Sequence, residues 1–450
     1  MKPKERYKKL KEHLTQENPV LVEVINEYEE LDKIAKKLGF LDENKTFTEE
    51  ISWWPLISVL GTFSSGKSSF INEYLGKKIQ TTGNQAVDNK FTVICYSKNS
   101  EVITLPGVAL DADPRFPFYN ISKEIEKIDN TETSINRYLQ LKTVNTENIK
   151  GKILIDSPGF DADVQRDETL KITRHIIDIS DLVLIFFDAR HPEPGAMRDT
   201  LNHLVEVAKN HKDADKILYI LNQIDTCAKE DNLEDIIGAW QRALSQKGIV
   251  SGKFYAIYNE SAAKIENEEQ KERLKKKKDE DLIEILEKID KVLIDRAYRI
   301  VKNIKTKSNE ILENLPLLKE RLSSFRTILL ITDILTIALF SVIVLYIKNL
   351  GASSYVVYGL IGFLILAFLF LHFKAKSFIA KFMAKKIENS FLKSSFIFQT
   401  KWYKPYLLAP SKATNKKIKN YLHNLIDRSK TFIQKLNDQF ITLQHQKEEL

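Results

Sequence analysis

The stretch GTFSSGKSSFIN, Gly61 to Asn72, constrains the fold most, because it follows directly on the apolar run LISVL. It fits the pattern G-x-x-x-x-G-K-[ST], with Gly61, Gly66, Lys67 and Ser68 at the required places. A strand that feeds such a loop and then a helix commits the surrounding chain to an α/β domain with a mainly parallel sheet. The following residues supply more strands: FTVICY, GKILIDSP, DLVLIFFDA, KILYILNQ and GKFYAIYN alternate with polar or helical segments from Pro55 to about Ser261.

The residue types in the loop suit a phosphate. Glycines let the backbone wrap closely, so that its N–H groups point at the β-phosphate; Lys67 brings positive charge to the β- and γ-phosphates, and the Ser68 hydroxyl is an oxygen ligand for Mg²⁺. Ser64 and Ser65 lie within the loop, and Ser69 continues the helix whose N-terminal dipole adds to the anion site. Ser64, Lys67 and Ser68 are the expected catalytic residues.

Three further boxes follow in order, each at the carboxyl end of an expected strand, where open α/β sheets bind ligands. In ILIDSPGF, Asp156 is placed to hold Mg²⁺ through water and the Gly159 N–H to meet the γ-phosphate, although alone this reads equally as a strand-to-turn junction. ILYILNQID ends in Asn222, Gln223 and Asp225, and the Asp225 carboxylate can accept from both N1–H and the exocyclic amine of guanine. The last box, with Ser261, either closes over the base or is a plain loop.

GTFSSGKSSFIN, DSPG and LNQID resemble the nucleotide-binding motifs of the dynamin superfamily, especially bacterial dynamin-like proteins and the related EH-domain-type ATPases. The motifs cover about Pro55 to Lys264. The resemblance implies a large GTPase domain using GTP with Mg²⁺, helices folded back into a stalk, membrane contact and nucleotide-dependent self-assembly. Three positions depart from it. Phe63 stands where dynamins often have glutamine and the EH-type ATPases an aromatic, and Gln223 replaces the usual lysine. Val87 and Asp88 stand about where the family's switch threonine is expected, with Thr82 and Thr92 as the substitutes in reach.

A second feature constrains the other half. Thr327 to Ile347 is an apolar run broken by Asp333, and Tyr355 to Phe373 is another, each near bilayer-crossing length and separated only by KNLGASS. The reading is a membrane-inserted hairpin; the alternative is a buried helical hairpin. Lys319, Arg321 and Arg326 precede it and Lys374, Lys376, Lys381, Lys385 and Lys386 follow, while the connection carries Lys348 alone, so both flanks and both termini are expected in the cytosol. Asp333 marks contact with a second hairpin, or a shallower insertion. SSFIFQTKWYKPYLLAP, with Trp402, Tyr403 and Tyr406, suits a headgroup zone or a packed loop.

Helical periodicity fills the rest. Leu21, Val24, Ile25, Tyr28, Leu31, Ala35 and Leu38 line one face; Leu282, Leu286, Ile289, Leu293, Ile300, Ile304, Ile311 and Leu315 run close to a heptad; Ile418, Leu422, Leu425, Phe432, Leu436 and Leu443 repeat the pattern. The expected layout is an N-terminal helical segment (1–50), a G domain (51–265), a helical stalk (266–326), the hairpin (327–373) and a C-terminal helical segment (374–450) packing back on the stalk.

Composition narrows the function. A net charge of +7 over 450 residues gives little support for a nucleic-acid partner, and two distant cysteines, Cys95 and Cys227, exclude a disulfide framework. The expected partners are guanine nucleotide, a lipid bilayer and other copies of the chain. The expected function is a membrane-anchored GTPase that remodels, tethers or fuses bilayers, with a non-catalytic nucleotide-dependent scaffold and an EH-type membrane ATPase as alternatives.

Overall fold

A computed structural model of the chain describes residues 3–81, 90–113, 115–116, 118, 121, 135–159, 167–191, 216–230, 232–249, 252–404 and 416–448. It divides into two compact units, one formed by Glu50–Arg296 and the other by Met1–Glu49 with Ala297–Leu450. The chain opens with helices α1 (Pro3–Glu17) and α2 (Pro19–Leu38), which belong to the second unit.

The first unit is an α/β domain around one eight-stranded sheet. Its strands are β1 (Leu56–Gly61), β2 (Phe91–Tyr96), β3 (Ile103–Pro106), β4 (Leu139–Val144), β5 (Ile153–Asp156), β6 (Leu182–Asp188), β7 (Ile217–Asn222) and β8 (Lys253–Ile257). They lie in the order β3-β4-β2-β5-β1-β6-β7-β8. Every side chain of β1, β5, β6 and β7 is buried, as expected of strands covered on both faces. Helices α3 (Lys67–Leu75), α4 (Val108–Ala112), α5 (Asp167–Ile179) and α6 (Leu233–Gln246) are interleaved with them. Trp240 of α6, only 1% exposed, packs on Phe187 and Phe254.

The sheet is mainly parallel, but β2 runs antiparallel to β5 and β3 antiparallel to β4. Strands β3 and β4 were not among the expected runs, and the reason is physical. Four exposed residues in β3 and a mixed polar sequence in β4, LQLKTV, carry no continuous apolar signal.

Helix α7 (Glu268–Asn349) supplies its first part to this unit and continues from Ala297 in the other. Ile285, Ile289 and Val292 pack on the sheet face with Ile57 and Val59, whereas Leu282 and Leu286 of the heptad reading are only half-buried. A straight helix of period 3.6 shifts the buried stripe off a strict heptad register. Asp281 accepts from the Ala256 N–H at 2.6 Å, which occupies a donor of edge strand β8. The Arg296 guanidinium, 1% exposed, donates to the carbonyls of Ser52 and Trp53 at 2.5 and 3.3 Å.

The second unit is helical. All seven apolar residues named on α2 are buried. The helix packs on α1, on α9 (Ser390–Gln399) and on α10 (Lys416–Glu448), where Ile418, Leu422, Leu425, Phe432 and Leu436 are buried. Polar bonds fix the contacts: Tyr7 donates to Asp32 at 2.8 Å, Ser395 to the Leu38 carbonyl at 2.6 Å, and Tyr421 to Glu27 at 2.8 Å. Tyr28 donates to the Ile300 carbonyl at 3.0 Å, joining α2 to the later part of α7.

The end of α7 and helix α8 (Ser354–Lys385) are long and apolar enough to cross a membrane. Their apolar side chains face outward: Leu335 is 65% exposed, Phe363 68% and Leu366 68%. Asp333 turns the other way and is 8% exposed, with both carboxylate oxygens 3.0 Å from His372 Nδ1 on α8. Its partner therefore lies within its own hairpin.

Candidate nucleotide site

Strand β1 ends at Gly61, and the loop from Thr62 to Gly66 delivers the chain into α3. Two glycines are required by space. A Cβ on Gly61 would stand 2.5 Å from the Phe186 carbonyl oxygen. Gly66 is left-handed, at φ +82°, and a Cβ there would run into the Asn222 amide nitrogen. Ser64 also adopts positive φ, 57°, uncommon for a residue with a side chain.

The loop is held from two strands away, across β6. The Asn222 amide, at the end of β7, donates to the Ser65 carbonyl at 2.8 Å, and Gln223 donates to the Ser64 carbonyl at 2.5 Å. Gln223 is itself left-handed, at φ 65°, which turns its side chain back toward the loop. Ser65 Oγ closes the turn internally on the Thr62 carbonyl at 2.8 Å. The second box packs here as well, since a Cβ on Gly159 would meet Phe63 Cα at 2.8 Å.

Lys67 opens α3 with its side chain buried, and the ammonium donates to the carbonyls of Gly61 at 3.1 Å and Thr62 at 2.9 Å. Burial draws its pKa down from 10.5 to about 8, with the Asp156 carboxylate opposing the drop. Ser68 and Ser69 stand half-buried in the first turn of α3. Asp156 ends β5, 5% exposed, and accepts from Gln80 Nε2 at 2.5 Å. Lys142 donates to Gln80 Oε1 at 2.6 Å, and the Asn72 side chain accepts from the backbone N–H groups of Ile79 and Gln80. The carboxylate is thus positioned by the segment that follows α3.

Residues 57–224 match the Dynamin family. The match covers less than half of the 450-residue chain. It is 26% identical over 201 residues to EH domain-containing protein 2 of Rattus norvegicus, 43% of this chain and 34% of that one. It is 25% identical over 209 residues to EH domain-containing protein 1 of Homo sapiens, 42% of this chain and 36% of that one. The chain thus spans about a third of the length of these relatives. A solved oligomerised bacterial dynamin pair, described as providing a mechanism for the long range sensing and tethering of membranes, aligns at TM-score 0.34 and 18% identity, covering 93% of this chain and 78% of that chain.

Asp225 lies in the short 3₁₀ turn Ile224–Lys229, half-buried. Burial pushes its carboxyl above the usual range, with nearby Arg190 opposing and Asp188 adding to the rise. Asp188, 4% exposed, ends β6 in register with Asn222 and holds Arg190 by a bidentate pair, 2.6 Å at the shortest contact. Ser261 is exposed, and its N–H and hydroxyl both donate to Asn259 Oδ1, so neither bond reaches the phosphate loop.

Thr92 is buried inside β2, beside Asp156 in register, and accepts from Gln140 Nε2 at 2.8 Å. It is therefore a strand residue rather than a loop residue. Thr82, Val87 and Asp88 lie outside the described residues. Gln80, Lys142, Asp188 and Arg190 were not anticipated. The DAR that ends IFFDAR, a carboxylate two residues before an arginine after an apolar run, is the one local signal that marked a strand-end ion pair.

Proposed function

We propose that this chain is a membrane-anchored dynamin-like GTPase that binds and hydrolyses GTP and couples the cycle to self-assembly and to remodelling, tethering or fusion of bilayers. The observation that carries the proposal is a phosphate loop clasped by Asn222 and Gln223, with Lys67 buried beside Asp156, on a chain that also presents two exposed apolar helices. On triphosphate binding, the Lys67 ammonium exchanges its carbonyl partners for phosphate oxygens, and the N–H groups opening α3 face the same anion.

Ser68 and Asp156 offer a hydroxyl and a carboxylate, hard oxygen donors that suit Mg²⁺. Among the described residues no group of three or more His, Cys, Asp or Glu side chains is placed to hold an ion. That fits an ion whose remaining ligands are water and substrate phosphate. When bound with GTP, Mg²⁺ would neutralise charge developing on the β- and γ-phosphate oxygens. Gln80 holds Asp156 in place, Gly159 brings the second box against the loop at Phe63, and Asp225 reads the guanine edge with Arg190 favouring its ionised form.

The hairpin would insert in the bilayer with both termini and the G domain on the cytosolic side, as the lysine and arginine flanks dictate. A second reading, ATP as substrate, is favoured by Phe63 in the loop and by Gln223 in place of lysine. Turnover of GTP and of ATP, each with and without liposomes, tests both readings. GTP turnover that liposomes raise supports the proposal, ATP turnover alone selects the second reading, and binding without turnover reduces the chain to a nucleotide-dependent scaffold.

A further inference from the structure

Two oxygen donors proposed for one ion stand on different elements, Ser68 in the first turn of α3 and Asp156 at the end of β5. Their separation depends on what ties the helix to the strand, and Gln80 spans that gap. Gln80 is 2% exposed, and its Nε2 donates to Asp156 Oδ2 at 2.5 Å. Its backbone is moored to Asn72, one turn beyond Ser68 on the same side of α3. Asn72 Oδ1 accepts from the Ile79 and Gln80 N–H groups at 2.8 and 2.9 Å, and Asn72 Nδ2 donates to the Gln80 carbonyl at 2.8 Å. Helix α3 thus reaches Asp156 through a buried strut.

A carboxamide can turn either end toward a carboxylate, an oxygen that repels it or an NH₂ group that binds it. Lys142, on β4, removes the choice. An ammonium has donors and no acceptor, and this one donates to Gln80 Oε1 at 2.6 Å and to the Ile79 carbonyl at 3.2 Å. With the amide oxygen held there, the NH₂ group is left to Asp156. The three side chains form a polar chain with one direction, from a cation on β4 to an anion on β5, with β2 lying between those strands. The bond at each end is charge-assisted, the stronger kind.

We infer that Gln80, its amide oriented by Lys142, is a positioning residue that sets how tightly the site holds Mg²⁺. The inference rests on Ser68 and Asp156 being the protein's oxygen donors to that ion, and it adds the two residues that keep those donors in register. Both act through Asp156 rather than on the nucleotide. Hydrogen-bond partners of a metal-holding carboxylate contribute about 10- to 100-fold to metal affinity.

Full-length protein in detergent is given fluorescent, non-hydrolysable analogues of GTP and ATP, and binding of the tighter one is measured in EDTA and then across a titration with Mg²⁺. The wild type is expected to bind more tightly as Mg²⁺ is added. Gln80→Leu, close to glutamine in volume, is expected to raise the half-saturating Mg²⁺ concentration about tenfold while leaving affinity in EDTA unchanged. Lys142→Met is expected to raise it about threefold, since the amide can then turn, and Lys142→Arg, which restores a donor, to keep the wild-type value. A half-saturation point that does not move in Gln80→Leu or in Lys142→Met overturns the inference. So does affinity in EDTA that falls as far as affinity in Mg²⁺, the mark of a merely loosened fold, or Lys142→Arg behaving like Lys142→Met. Wild type that binds equally with and without Mg²⁺, or binds neither analogue, overturns the reading of the site itself.

Discussion

Lys67 is buried as a cation with two backbone carbonyls for partners, and its chemistry follows from that. Its folded pKa of about 8 lies below the ordinary 10.5, so between those values the unfolded chain keeps a proton that the folded chain has released. Stability linked to this group is therefore lowest below about pH 8, where the buried ammonium is charged, and rises as pH climbs toward 10.5. The thermal midpoint of the wild type relative to Lys67→Met is expected to climb across that window; a flat difference would place the lysine in solvent. Lys67→Ala is expected to abolish or greatly weaken triphosphate binding with the fold intact, checked by titration of a fluorescent triphosphate beside circular dichroism. Asp225→Asn is expected to reduce the preference for GTP over ATP by more than tenfold, since an amide oxygen cannot serve both guanine donors as a carboxylate does. Unchanged discrimination in competition binding would leave Asp225 a turn residue. Lys67 and the loop glycines were legible because their spacing is local. Gln80 and Lys142 were not, because what makes them matter is β2 lying between β4 and β5, an adjacency that no local pattern encodes, whereas the Asp188–Arg190 pair left only the local DAR signal.

Elements were read well where one pattern filled them. The β1, β6 and β7 runs and the α2 face are uniform in burial, so period and apolarity alone located them. β3 and β4 join the sheet through pairing rather than apolarity, and the α7 stripe departs from the heptad reading because 3.6 residues per turn do not match a 3.5-residue repeat. The hairpin holds the sharpest test at this scale. Asp333 and His372 pair between two apolar helices, so replacing Asp333 by Leu alone takes that acceptor from the imidazole at a cost of about 1–3 kcal/mol. Asp333→Leu combined with His372→Phe is expected to recover most of that loss, read as thermal stability of the detergent-solubilised protein. A double variant no better than the single one would show that the pair does more than satisfy itself.

For the molecule as a whole, the proposal predicts an assembly gated by nucleotide. Under that proposal the γ-phosphate meets the Gly159 N–H of DSPG, so the surface carrying this turn would differ between loaded and spent states. Confinement to a bilayer raises the effective concentration of that surface, and a weak contact then suffices. Crosslinking in liposomes is expected to give high oligomer yield with GTP or a non-hydrolysable analogue and low yield with GDP or no nucleotide; equal yields under all four conditions would remove the switch. The clasp on the phosphate loop also sets how the gene can drift. Asn222 and Gln223 reach across 157 and 159 residues of chain, yet what they grasp is main-chain oxygen, which every amino acid carries. As far as the clasp is concerned, the codons for Ser64 and Ser65 can wander while those for the two amides cannot. In a saturation library selected for folding, intolerance should gather at Gly61 and Gly66 and also at positions 222 and 223, far along the gene from the loop whose shape they preserve.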